Sequence, residues 1–217
     1  MRRLPIALAP MPRTSTLAVL FATLARFNCN QPMPRYSNIA ILLHWLMALL
    51  IVAAFLLGVT MVNIQGITPA KLRYVAWHKW VGVSVLGLAG MRLLWRLTHA
   101  APPYPESMPS WQRQAAHGMH ALLYLLMFAV PLSGYFFSLA LGVPVVYLGI
   151  IALPVLIEPN PGIEGSLRLL HFWLNLSLFG GICLHILAVS RHHLIAGDGL
   201  MRRMLPSFKS GAGGRSR

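Results

Sequence analysis

The sequence predicts an all-α membrane protein built as a four-transmembrane-helix bundle. Of its 217 residues, 57% are hydrophobic and 10% are charged, and the mean hydropathy is +0.65. Soluble domains are nearer to about 45–50% apolar and about 25% charged. A soluble chain of this length could not hide so much apolar surface in its own core. The composition therefore excludes an ordinary cytosolic enzyme and a disordered chain.

Four apolar stretches are long enough to cross a bilayer, which takes about 20 residues. They run roughly over Ile39–Val62, Tyr74–Leu94, His117–Leu139 and Leu167–Val189. Between the second and the third lies a Pro-rich polar link, Ala101–Trp111, which cannot be helical throughout. We expect these four stretches to be the helices of the bundle.

A further apolar stretch, Leu141–Ile157, is a poorer candidate for a span because it carries Pro144, Pro154 and two glycines. Counting it as a span would place the two chain ends on opposite sides of the membrane. We interpret it as an interfacial or re-entrant segment that packs on the outer surface of the bundle.

The distribution of charge predicts how the bundle is oriented. The chain has 18 Lys and Arg against 4 Asp and Glu, and the basic residues cluster at the ends of the apolar runs. This pattern indicates contact with membrane lipid and no nucleic-acid partner. With four spans, all but four basic residues fall on one side, and the exceptions are Lys71, Arg73, Lys79 and Arg168. The positive-inside rule then places both termini in the cytoplasm.

The two ends of the chain are expected to lie outside the transmembrane domain, which we place at residues 34–206. Residues 1–33 contain an apolar run, Leu17–Ala25, that is too short to span. We interpret them as an N-terminal extension rather than a cleaved signal peptide, and a misassigned start codon upstream of Met33 would explain it. Residues 207–217 are expected to form a disordered basic tail.

Histidines are the most informative ionisable residues within the predicted spans, which contain no Asp or Glu. Ionisable groups inside a membrane usually mark a functional site. His171 and His185 are separated by about four helical turns, so both project from one face of the fourth span, about 21 Å apart along its axis. At the inner depth His185 is level with His44, and at the outer depth His171 is level with His78.

Two histidine pairs at two depths would each suit a six-coordinate iron, and haem iron readily takes axial imidazole. Because the chain has no CxxCH motif, the haem would be of the non-covalent b type. Zinc would require three or four ligands at a single point. The sequence therefore predicts two stacked haem b groups with His44, His78, His171 and His185 as axial ligands. The alternative is that these histidines are hydrogen-bonded packing residues.

Other polar residues lie close to the inner site. His117 and His120, three residues apart at the start of the third span, favour contacts with haem propionates, quinone or lipid headgroups, and His120 is the alternative inner ligand. Arg92 and Arg96, at the inner end of the second span, fit propionate or quinone contacts, although simple anchoring at the cytoplasmic face would also explain them.

Glycines within the second and fourth spans allow two interpretations. Small residues could admit a flat macrocycle between helices, or they could serve close helix packing. The residues concerned are Gly82, Gly87, Gly90, Gly180 and Gly181.

Several motifs occur in an order and at a spacing that resemble the bacterial cytochrome b561 family of four-helix di-haem membrane proteins. They are RYSNIAILLHW (35–45), HKWVG (78–82), GMRLLWRL (90–97), AAHGMHALLYLLMFAVPLSGY (115–135), LHFWL (170–174), LHILAVSRHH (184–193) and LMRRMLP (200–206). The resemblance covers residues 34–206. It implies a location in the bacterial inner membrane and carries the axial ligands onto the same four histidines, with His44 and His185 at the inner haem.

This resemblance implies a quinone-linked carrier that passes single electrons between a periplasmic donor and membrane ubiquinone. At least one kind of member is a superoxide oxidase. For superoxide as the donor, Lys71, Arg73, Lys79 and Arg168 would steer the anion toward the outer haem. Such a number of basic residues is also ordinary for a small outer surface. We expect no catalytic acid or base from the protein.

Two other functions remain open from the sequence. Relatives in the family act as cytochrome b subunits of hydrogenases and other periplasmic dehydrogenases, so the chain could instead be an electron-transfer subunit of such a complex. A small transporter or channel subunit is a further alternative, and it would bind no haem.

Overall fold

The computed structural model describes residues 35–105, 108–196 and 199–206. Four long helices dominate this part of the chain, and each is long and apolar enough to cross a membrane. They are α1 (Asn38–Asn63), α2 (Pro69–Thr98), α3 (Ser110–Ala140) and α4 (Pro161–Arg191). The prediction of a four-span, all-α membrane bundle is confirmed. The interpretations of residues 1–33 and 207–217 concern segments outside the described residues.

Each helix is longer than the apolar span predicted for it, and polar side chains cap the starts of α1, α2 and α4. The side chain of Thr68 accepts a hydrogen bond from the backbone N–H of Lys71 at the start of α2, followed by Pro69 in the first turn. Asn160 and Pro161 start α4 in the same way. Capping residues and first-turn prolines are typical helix starts, but hydropathy does not register them.

The helices meet in a core of side chains drawn from all four of them: Met47, Ile51, Val85, Ala89, Leu126, Met127 and Leu178. The outward faces stay apolar. Leu42, Leu49 and Leu56 form one stripe of α1 at seven-residue spacing and are 65%, 67% and 64% exposed. Such a stripe would be unfavourable in water and is what lipid contact requires.

The four helices form two closely packed pairs. α1 packs along α2, α3 packs along α4, and α2 also meets α3. Among the described residues, no Cα of α4 comes within 8 Å of a Cα in α1 or α2. Side chains reach across this separation, as where the rings of Phe55 and Phe179 lie 5.8 Å apart. The separation matters because histidines of α4 also meet histidines of α1 and α2 across it.

The segment Leu141–Ile157 forms a small hairpin and not a fifth span. Its strands, β1 (Val146–Tyr147) and β2 (Ile151–Ala152), pair antiparallel. The indole of Trp80 on α2 donates to the carbonyl of Val146 at 2.8 Å, and the Tyr135 hydroxyl on α3 donates to the carbonyl of Pro154. The segment therefore packs on one end of the bundle, which we call the hairpin end.

The opposite end, which we call the basic end, is covered by the C-terminal segment. A π-helical turn (His192–Ala196) extends α4, and a 3-10 turn spans Leu200–Arg203. The indole of Trp45 on α1 donates to the carbonyl of Met204 at 2.8 Å, and Arg35 donates to the carbonyl of Leu205. These bonds join the two ends of the domain at one face.

Candidate functional site

The first histidine pair lies toward the hairpin end and joins α2 to α4. The ring centres of His78 and His171 are 6.4 Å apart, with the planes at 85°. His78 Nδ1 is 3.0 Å from the carbonyl oxygen of Ala54, and His171 Nδ1 is 3.1 Å from that of Val130. Because a carbonyl only accepts, both Nδ1 atoms are donors and both Nε2 atoms carry a lone pair. We call His78 and His171 the hairpin-end pair.

The second pair lies toward the basic end and joins α1 to α4. The ring centres of His44 and His185 are 6.5 Å apart, with the planes at 67°. The guanidinium of Arg92 on α2 donates to His44 Nδ1 at 2.9 Å. We call His44 and His185 the basic-end pair. The structure thus brings together the same two pairs that helix depth alone indicated.

The ring spacing of both pairs fits two imidazoles on opposite sides of one metal ion. A ring nitrogen binds a first-row metal at about 2.0 Å and the ring centre lies about 1.1 Å behind it, which places the centres of two rings on opposite sides of the metal about 6.2 Å apart. Among the described residues, no group of three or more His, Cys, Asp or Glu side chains could hold a metal ion by itself. Paired imidazoles therefore suit a metal whose remaining ligands come from a macrocycle.

Two glycines allow the hairpin-end rings to lie close to the helices that flank them. A Cβ at Gly134 of α3 would be 2.8 Å from His171 Cε1, and one at Gly58 of α1 would be 3.4 Å from His78 Cε1. Neither was singled out from the sequence. A Cβ at Gly181 would contact the side chain of Leu123 at 3.3 Å, whereas one at each of the other expected glycines would meet nothing within 4 Å: Gly82, Gly87, Gly90 and Gly180.

Ser133 is a further residue that the sequence analysis missed. It is buried, its Oγ donates to the carbonyl of Val130 at 2.8 Å, and the same Oγ lies 2.9 Å from His171 Nδ1. The signal in the sequence was the presence of Pro131, Ser133 and Gly134 close together within an apolar span, since a proline and a polar residue there need a structural reason.

His120 and His117 have different surroundings. His120 packs against His185 with ring centres 5.6 Å apart, closer than an axial pair, and its Nδ1 lies 2.7 Å from the carbonyl of Ala116 on the same helix. His117 packs edge-on against Tyr104 of the link. Burial raises the pKa of Tyr104 above its usual range, so the phenol stays protonated.

Arg92 and Arg96 both face Tyr124 of α3. Their guanidinium carbons lie 5.9 and 6.0 Å from the centre of its ring, within the range of a cation–π contact. Arg92 therefore touches both His44 and Tyr124, and it lies among the histidines rather than at the protein surface.

The basic residues expected to steer an anion divide into two kinds. Lys71 donates to the carbonyl of Ile64 at 3.0 Å, and Lys79 donates to the carbonyl of Val143 in the hairpin segment at 3.4 Å. Arg73 and Arg168 are exposed at the same end of the bundle. Lys71 and Lys79 thus have structural contacts, and the two arginines present their charge to solvent.

Apolar spans with one pair of facing histidines toward each end of the bundle are typical of a class of protein, the multi-span membrane electron carriers. The chain belongs to the prokaryotic cytochrome b561 family, whose model matches residues 35–207. It is accordingly a multi-pass protein of the bacterial inner membrane, and its family implies haem b.

Individual relatives agree with this assignment. Cytochrome b561 homolog 2 of Escherichia coli K12 is 32% identical over 82% of this chain and 95% of its own length. A probable superoxide oxidase, CybB, of Yersinia pestis is 30% identical over 79% of this chain and 96% of its own length. Cytochrome b561 homolog 1 of E. coli K12 is 29% identical over 82% of this chain and its whole length.

Proposed function

We propose that this protein is a di-haem b carrier that passes single electrons from superoxide in the periplasm to ubiquinone in the membrane. The observation that carries the proposal is the presence of two histidine pairs, at opposite ends of the bundle, with ring centres 6.4 and 6.5 Å apart. His78 and His171 would hold one haem, and His44 and His185 the other. When bound, haem iron supplies one-electron redox chemistry.

The chain contributes ligation, orientation and insulation. Hydrogen bonds from Nδ1 of His78 and His171 to backbone carbonyls fix both rings with Nε2 available. Lipid-facing leucines on α1 keep water from the outside of the bundle. Arg92, Arg96 and His120 lie at the basic end, where haem propionates or the quinone would find donors.

Exposed positive charge at the hairpin end and sequence similarity to a probable superoxide oxidase both favour superoxide as the electron donor. Arg73 and Arg168 expose positive charge at the hairpin end, and such charge raises the encounter rate of an anion. The similarity to a probable superoxide oxidase supports the same donor. In the overall reaction two superoxide ions lose one electron each to become O₂, and ubiquinone takes up both electrons and two protons to become ubiquinol.

An electron-transfer subunit docked on a periplasmic dehydrogenase is the alternative. Both proposals share the two haems and differ in the donor. Isolation of the protein from native membranes in mild detergent distinguishes them, because a stable subunit would retain a metalloenzyme partner, whereas a superoxide oxidase would be isolated alone and still be reduced by superoxide.

The deciding measurement is the haem b content per polypeptide of the purified protein, by pyridine haemochrome assay together with a reduced-minus-oxidised spectrum. We expect two haems per chain. Folded protein without haem would overturn the proposal and leave a transporter or channel subunit as the better explanation.

A further inference from the structure

The two histidine pairs differ in what faces the outer ring nitrogen, Nδ1. In the hairpin-end pair, the Nδ1 atoms of His78 and His171 point at the backbone carbonyls of Ala54 and Val130. In the basic-end pair, His44 Nδ1 faces a guanidinium at 2.9 Å. One pair thus donates to neutral acceptors and the other contacts a cation.

Two arginines of α2 give the basic end a local positive charge. Arg92 and Arg96 both lie over the ring of Tyr124. Within the described part of the chain, the only carboxylate side chains are those of Glu158, which precedes α4, and Glu164 in its first turn, both at the hairpin end. Arginine stays charged at any working pH, so this field is fixed.

These surroundings favour different oxidation states of a bound iron. An imidazole that donates from Nδ1 to a carbonyl becomes a more basic ligand and stabilises the ferric state. A fixed cation near the other pair opposes the additional positive charge of ferric iron and favours the ferrous state. The first effect lowers the midpoint potential of an iron at the hairpin-end pair, and the second raises the midpoint potential of an iron at the basic-end pair.

Resting on the proposed function, we infer that Arg92 gives the basic-end haem a higher midpoint potential than the hairpin-end haem. The contacts of His171 with Val130 and with Ser133 keep the potential of the hairpin-end haem low. Electrons entering at the hairpin end therefore move downhill toward the basic end. A neutral His44 can bind iron through Nε2 only when Nδ1 carries the ring proton, so in the haem-bound protein the Arg92 guanidinium would lie beside the ring as a charge and not as a donor to Nδ1. Arg92 acts through this local field, so it is a tuning residue and not a ligand.

The test is spectroelectrochemistry of the full-length, haem-loaded protein in detergent. The intact protein should show two resolved midpoint potentials. Arg92→Gln removes the charge while retaining a donor, and it should lower only the higher potential. We expect at least a tenfold change in the reduction equilibrium constant, which is about 59 mV for one electron. Arg92→Lys keeps the charge and should retain most of the difference.

A second variant addresses the other end of the bundle. Ser133→Ala removes the hydroxyl next to His171 Nδ1 and should raise only the lower potential. As a matched control, Arg113→Gln neutralises an exposed arginine at the start of α3 and should move neither potential.

The outcomes separate the inference from the function on which it rests. Two haems per chain with equal potentials, or a higher basic-end potential in Arg92→Gln, would overturn the inference and leave the carrier function intact. The second result would show that the guanidinium instead holds His44 as an imidazolate ligand. Absence of haem from folded protein would overturn the proposed function itself.

Discussion

A Cβ placed on Gly134 would lie 2.8 Å from Cε1 of His171, closer than real Cβ contacts come. Gly134→Ala should therefore push the His171 ring away from its position, at an overpacking cost of about 1–3 kcal/mol. We expect haem content to fall below two per chain, with loss confined to the hairpin-end site. Pyridine haemochrome assay measures the loss. Gly180→Ala is the matched control, because its Cβ would meet nothing within 4 Å, and equal haem loss in both variants would contradict the prediction.

Histidine substitutions should separate ligands from neighbours. His171→Ala should reduce the haem content from two to one per chain, because one axial ligand of the hairpin-end site is removed. His120→Ala should retain both haems, since its ring is 5.6 Å from His185 and bonds its own helix. Haem counts together with low-temperature spectra provide the measurement. If His120→Ala lost a haem and His44→Ala did not, the assignment of the basic-end ligands would be wrong.

Exposed charge at the hairpin end should govern the encounter with superoxide. The double substitution Arg73→Gln and Arg168→Gln should slow superoxide-driven haem reduction several-fold at low salt and flatten its dependence on ionic strength. Stopped-flow absorbance at several salt concentrations measures both. Lys71 and Lys79 are left unchanged because they bond the carbonyls of Ile64 and Val143.

The control for this experiment is Arg113→Gln, which removes an exposed charge at the other end of the bundle. It should leave the rate and its salt dependence as they are. An unchanged rate in the double variant would show that the two arginines do not steer the substrate.

The positive-inside distribution predicts a cytoplasmic C-terminus, and the bond from Trp45 to the carbonyl of Met204 ties that end to the start of α1. A fluorescent protein fused after residue 217 should fold and fluoresce, whereas alkaline phosphatase at the same position should be inactive. Fusions inserted at Ile150, 83% exposed in the hairpin, should give the reverse result. The same signals at both positions would contradict the four-span orientation.

Much of the fold could be predicted from the sequence because lipid imposes a simple length and polarity requirement on each span. The histidine pairs could also be predicted, since helical rise places His171 and His185 at fixed depths on one face of α4. The proline-bearing segment 141–157 was correctly excluded as a span. Its hairpin and its contacts with Trp80 and Tyr135 depend on tertiary packing, which hydropathy does not describe.

The surroundings of the rings could not be predicted in the same way. The contact of Arg92 with His44 requires the rotation of α2 about its axis as well as its depth. Gly58 and Gly134 resemble any other small residue in an apolar run, and only the approach of a ring from another helix distinguishes them. The depth of a residue in the membrane follows from its position along the helix. The direction in which its side chain points around the helix axis depends on how the helices pack.

Each histidine pair takes one ring from the first helix pair and one from α4, although α4 has no close backbone contact with α1 or α2. Under the proposed function, cofactor binding is therefore a property of association between two halves of the polypeptide. Two fragments divided in the link after Ala101 would each be a complete helical hairpin holding half of both sites. Coexpressed, they would regain a bis-histidine spectrum only on recombining, which makes the haem itself a reporter of assembly in the membrane.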